Sequence, residues 1–90
     1  MAEARLKAHR GEHDEALELA RSVVEHEDRG DELNGRALMW LGLAEVQRAS
    51  GRPQEAVEAT AAALALYEQK GNIAAADRVR NTAGIAKMIG

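Results

Sequence analysis

The chain has no cysteine, almost no aromatic residues and no long apolar run. Without cysteine there is no disulfide framework, no thiolate zinc site and no thiol nucleophile. Trp40 and Tyr67 are the only aromatic residues, which argues against a surface that stacks single-stranded nucleic acid. No segment approaches 18 consecutive apolar residues, and the first residues carry charges where a secretory signal would be apolar. These absences predict a cytoplasmic protein with no membrane contact.

The charge of the chain further limits the classes of partner that are expected. The net charge is −3, from 12 basic and 15 acidic residues, and no run of lysine or arginine stands out. A nucleic acid or an anionic membrane is therefore not expected as the main partner. A length of 90 residues corresponds to one domain or to a piece of a larger array.

Residues that could carry chemistry are isolated from one another. His9 and His13 have a spacing that could hold a metal on one continuous helix, but Gly11 falls between them at a predicted turn. Solvated histidines are the simpler interpretation, and the same holds for His26 between two glutamates. No serine or threonine belongs to a nucleophile motif, and no glycines form a phosphate cradle. The sequence predicts no enzyme activity, no metal and no cofactor.

What the chain does contain is a repeat of 40 residues. The segment 11–17 corresponds to the segment 51–57, with glycine at the start of each and a Glu-Ala pair at the same later position (51 − 11 = 40). The apolar stripe that follows also recurs: Ala16, Leu17, Ala20, Val23 and Val24 return as Ala56, Val57, Thr60, Ala63 and Leu64. Small residues with the same spacing, at Ala4, Ala44 and Gly84, are expected where paired helices approach most closely. Such recurrence is typical of repeats that bury their apolar faces by stacking.

Apolar periodicity and glycine punctuation predict five helices. They cover approximately residues 2–10, 12–27, 32–50, 53–70 and 73–88. Gly30 and Asp31 supply a stop and an N-cap before the third helix, and Pro53 suits the first turn of the fourth. The predicted domain is a half repeat (1–30), a full repeat (31–70) and a second half repeat (71–90). We expect Trp40 to be a packing residue.

These residues resemble the tetratricopeptide repeat family, in which antiparallel helix pairs stack on one another. The positions that match the family pattern are Trp40, Leu43, Ala44, Gly51, Glu55, Ala56, Ala63 and Leu64. Gln47 and Thr60 stand where the family prefers an aromatic residue, and Arg80 replaces its tryptophan in the last copy. The period of 40 is similar to the longer repeats of bacterial signalling ATPases and large transcription activators.

The resemblance implies an all-α solenoid of about five helices that acts as a protein-interaction scaffold, as part of a bacterial regulatory protein. A peptide or a partner helix would bind in a groove lined by the first helix of each pair. The family pattern places the groove at Leu38, Leu41, Glu45, Arg48, Ala49, Arg78, Asn81 and Ile85. Leu41 and Glu45 occupy two positions where some members clamp a terminal carboxylate, so no such clamp is implied.

A second hypothesis comes from the end of the array. No helix follows to cover Ile85, Met88 and Ile89, and helical arrays normally end in a polar cap. Exposed apolar surface of this kind marks interaction sites. These three residues therefore predict self-association, and the alternative function is a structural unit that assembles with its own copies.

Overall fold

A computed structural model describes the backbone of residues 1–27 and 32–89, and the side chains of residues 1–26 and 32–81. Over these ranges the chain is all-helical, without strands. Five helices follow one another: α1 (Ala2–His9), α2 (His13–Glu27), α3 (Leu33–Ala49), α4 (Pro53–Lys70) and α5 (Ile73–Ile89). The five predicted helices are therefore confirmed, and their ends lie close to the predicted positions.

The caps show why these helices end where they do. Gly11 and Gly51 take positive φ angles of 83° and 75°, a conformation that disfavours residues with a Cβ. In each turn the N–H of the following residue donates to the carbonyl five positions earlier, at 2.9 Å in the first turn and 2.8 Å in the second. The 40-residue repeat thus extends to the backbone hydrogen bonds of the two turns.

The start of α3 differs from the expectation. Gly30 and Asp31 lie outside the described residues, and the N-cap of α3 is Glu32, whose carboxylate accepts a hydrogen bond from the Asn34 N–H at 3.0 Å. The structure therefore assigns the capping role to a residue that the sequence pattern placed inside the helix.

The helices pack in chain order. α1 contacts α2, α3 contacts α4, and the first pair meets the second where both α1 and α2 contact α3. α5 then packs against α4. The Cα positions extend over 36 × 35 × 17 Å, and the shortest dimension corresponds to about two helices side by side at roughly 10 Å per helix. The result is a slab two helices thick.

Two apolar clusters hold the slab together. The first cluster joins α1, α2, α3 and the start of α4, and includes Leu17, Leu43 and Val46. The second joins α3, α4 and α5, and includes Leu66 and Tyr67. Trp40 is partly buried and packs against both clusters. It is therefore a packing residue, as predicted.

Small residues allow α1 and α3 to approach closely. Ala4 and Ala44 have no exposed surface and belong to the first apolar cluster. A methyl group added to Gly42 would lie 2.6 Å from Cγ of Met1. The third position of this series, Gly84, falls among the residues whose surroundings are not described.

The predicted burial of the repeated stripe is wrong at one position. Leu17 on α2 is 3% exposed, whereas its counterpart Val57 on α4 is 69% exposed. The physical reason is coverage: α3 lies over the stripe of α2, while the described contacts of α5 with α4 centre on Leu66 and Tyr67. Position in the repeat alone did not determine burial.

Candidate interaction groove

The groove predicted from sequence depends on first helices lying side by side, and α1 and α3 do so. Arg5 Nε donates to Glu45 Oε2 at 2.6 Å, and these residues are separated by 40 positions. Met1 lies beside Gly42 and Arg5 beside Glu45, so the contacts advance in the same direction along both helices, and α1 and α3 lie parallel with an offset close to one repeat. Both side chains remain about half exposed, at 48% for Arg5 and 58% for Glu45.

One face of α3 carries most of the predicted groove residues. Leu38, Glu45, Arg48 and Ala49 are all exposed, and their spacing places them on one side of the helix. Leu38 is 54% exposed, which is high for a leucine. Leu41 differs, because it is partly buried and packs against the second apolar cluster. Its main contacts are therefore within the chain.

The polar groups on this face have partners within the chain. Glu45 is paired with Arg5, and Arg48 Nη2 donates to Thr60 Oγ1 at 3.3 Å. Thr60 in turn donates to the carbonyl of Ala56 at 2.8 Å. The charges that line the face are thus satisfied locally, and Leu38 is left as its apolar feature.

A shallow, open cleft of about 640 Å³ lies where α1 meets α3. Arg5, Leu6 and His9 contribute from α1, and Glu45 and Ala49 contribute from α3. The cleft therefore continues the exposed face of α3 towards the first helix. Its lining mixes charged and apolar side chains and contains no enclosed volume that would hold a small molecule.

The α5 side of the predicted groove is described only in part. Arg78 and Asn81 are exposed, and Asn72 Nδ2 donates to Asn34 Oδ1 at 3.2 Å, which joins the start of α5 to the start of α3. The predicted positions Ile85, Met88 and Ile89 lie in α5 but outside the described side chains. The structure thus brings the beginnings of α3 and α5 together.

Sequence reasoning missed Arg5 and the asparagine pair. The family pattern places groove positions on the full repeat and the last helix, and so did not point to the first half repeat. Opposite charges at Arg5 and Glu45, one period apart on equivalent helices, were the signal that could have found the contact. For Asn34 and Asn72 no comparable signal exists, because their separation of 38 does not match the period.

One of the histidines, His13, joins the two hairpins, whereas His9 and His26 are exposed. His13 Nδ1 lies 3.1 Å from Ser50 Oγ, so the start of α2 touches the end of α3. Within the described side chains, no group of three or more His, Cys, Asp or Glu residues has a geometry that could hold a metal ion. Across the part of the chain that the structure covers, no helix has both the length and the apolar character needed to span a bilayer.

Known proteins offer no match to this chain: no protein-family model matches it, and neither the curated proteins nor the solved structures include a significant match. Its function is therefore inferred from the internal repeat and from the contacts between the copies of that repeat.

Proposed function

We propose that the chain is a helical-repeat module of the tetratricopeptide type that binds a peptide or a partner helix along its first helices. The observation that supports this proposal is the Arg5–Glu45 contact, which joins equivalent positions of two successive first helices. Stacked hairpins with this register form extended binding surfaces in solenoid proteins. No catalytic residue or cofactor is needed for this role.

The chemistry of the groove indicates what kind of partner fits. Because Arg5, Glu45 and Arg48 are already paired, a partner gains little from offering a lone charge to any of them. Leu38 offers apolar surface instead, and fully burying a leucine is worth roughly 1.5–3 kcal/mol. The partner is therefore an extended peptide or an amphipathic helix that places an apolar side chain on Leu38 between polar flanks.

A peptide display library tests the proposal without requiring a named partner. Short random peptides are selected on the immobilised chain, and the enriched peptides are measured against a Leu38→Asp variant by fluorescence polarisation. We expect a loss of affinity of about tenfold or more, since a charge at Leu38 removes roughly 1.4 kcal/mol or more of apolar contact. Amide shifts in NMR spectra should cluster around Leu38 and Ala49.

Val57→Asp is the matched control, because it places the same charge on an exposed aliphatic residue away from the groove. This variant should retain the affinity of the unmodified chain. Enriched peptides that bind both variants equally well, or that shift amides elsewhere, would contradict the groove assignment.

The alternative function is a structural unit whose main contact is with its own copies. The version of this hypothesis that uses Ile85, Met88 and Ile89 stays a prediction, because those side chains are not described. Self-association of the chain, together with a selection that yields no binding peptide, would favour this alternative.

A further inference from the structure

One end of the cleft between α1 and α3 contains a polar side chain without a partner in the chain. Arg5 on α1 is paired with Glu45 on α3. One turn further along both helices, His9 and Ala49 line the same cleft. A methyl group therefore lies opposite the imidazole, where the previous turn has a carboxylate. Among the described side chains, none forms a hydrogen bond or an ion pair with His9.

Apolar surface surrounds this imidazole. Leu6 lies three positions before His9 in α1, lines the cleft and is 49% exposed. Ala49 is exposed as well. The ring of His9 can donate a hydrogen bond to a ligand, and a ligand that reaches it also covers these apolar side chains. Since Arg5 and Glu45 already neutralise each other, His9 is the polar side chain of the cleft from which a partner gains a new contact.

The charges around His9 favour an anion. The charged or titratable side chains near it, on α1, on α3 and at the start of α2, are Arg5, Arg10, Glu12, His13, Glu45 and Arg48. Three of them carry a positive charge and two a negative charge, while the ring of His13 is already in contact with Ser50. Histidine side chains change charge between pH 5 and 8. Protonation of His9 therefore adds a second net positive charge to this end of the cleft.

We infer that the bound peptide places an Asp or Glu side chain on His9 while its apolar side chain lies on Leu38. The inference rests on the proposed groove and names the second feature of its ligand. Leu38 and Ala49 lie on the same face of α3, three turns and roughly 16 Å apart at 1.5 Å per residue. An extended peptide covers this distance in about five residues. Selected peptides should therefore carry an acidic residue about five positions from the apolar one.

The pH dependence of peptide binding tests this contact. The probes are peptides without histidine, selected on the immobilised chain, and their affinities are measured by fluorescence polarisation at about pH 8 and about pH 5.5. A bound carboxylate favours the protonated ring, so the affinity should rise as the pH falls. For an exposed ion pair the gain should be roughly two- to fivefold. His9→Gln keeps a hydrogen-bonding side chain and should show no gain.

His26→Gln is the matched control, because it removes an exposed histidine that lies on α2 and does not line the cleft. This variant should keep the gain. Peptides in which the acidic residue is replaced by its amide should show no gain with any of the proteins. Amidation of the peptide's own C-terminus should leave the gain unchanged, because the contact is with a side chain. Circular dichroism at both pH values checks that all the proteins are folded.

The results separate this inference from the proposed groove. An unmodified chain without any gain, a gain that persists in His9→Gln, or an equal gain with the amide peptides would overturn the contact with His9. Peptides that then still lose affinity for Leu38→Asp would leave the groove itself supported. A selection that yields no binding peptide would overturn both.

Discussion

Helices α2 and α4 are equivalent in the repeat, but the same repeat position is buried on α2 and exposed on α4. Where α2 meets α3, Leu17 is 3% exposed; on α4, the equivalent Val57 is 69% exposed. The two helices carry the same glycine-led turn, with the same backbone hydrogen bonds. What differs is the surroundings, because Leu17 belongs to the cluster that joins α1, α2, α3 and the start of α4, whereas Val57 belongs to neither apolar cluster. A residue's burial in a repeat protein is thus a property of the next unit as much as of its own.

The largest expected effect is the difference in stability loss when Leu17 and Val57 are each replaced by alanine. Leu17→Ala should lower the free energy of unfolding by about 2–5 kcal/mol, because it leaves a cavity in the first cluster. Val57→Ala should change it by less than about 0.5 kcal/mol, since the side chain is mostly in water. Urea unfolding measures both values. Equal losses at the two positions would mean that Val57 is covered, and the contrast would disappear.

A smaller effect is expected from a second equivalent pair, Lys7 and Gln47. Lys7 donates to Glu15 at 3.1 Å, but Gln47 is 5% exposed and its Oε1 has no partner among the described residues. The repeat counterpart of Glu15 is Glu55, which is held by Arg21 and is not bonded to Gln47.

Gln47→Met should therefore raise the free energy of unfolding. Methionine has a similar shape and removes a buried oxygen whose missing hydrogen bond costs about 1–3 kcal/mol. The change is expected as a higher urea midpoint with an unchanged slope. Gln54→Met, at an exposed glutamine, is the control and should have little effect. A lower midpoint for Gln47→Met would show that the amide has a partner in solution.

The smallest effect concerns the protonation of Lys7. The hydrogen bond and the charge of Glu15, with smaller contributions from Glu12 and Glu3, raise the pKa of Lys7 above its ordinary value of 10.5. Since the folded pKa is the higher one, the stabilisation is fully present below pH 10.5 and is lost as the pH rises through the raised pKa.

Glu15→Gln should lower the pKa of Lys7 in an NMR titration of its Nζ or Cε signals. The stability difference between the variant and the unmodified chain should shrink at pH values above the raised pKa. Because Glu15 is exposed and water reaches the ion pair, this difference is small even near neutral pH. An unchanged titration of Lys7 in the variant would show that Glu15 is not its partner.

Much of the architecture could be predicted from particular residues. Gly11 and Gly51 located two turns, because a positive φ is costly for other residues. Pro53 located the start of α4, where its missing N–H has no helical partner to lose. The exposed face of α3 was predicted less completely, since Leu41 packs inward and the contact of Glu45 with Arg5 was missed. Side-chain partners across helices depend on relative orientation, which one helix's periodicity does not contain.

The sequence by itself determined the five helices, their turns and the 40-residue period, because backbone conformation and helical periodicity act over a few residues at a time. Only the tertiary structure decided that Val46 is covered while Leu6 is exposed, and that Arg5 pairs with Glu45. Whether a side chain is buried, and which side chain it pairs with, depends on which face of its helix another helix contacts. Residues 40 positions apart therefore have different surroundings in different parts of the same helical slab.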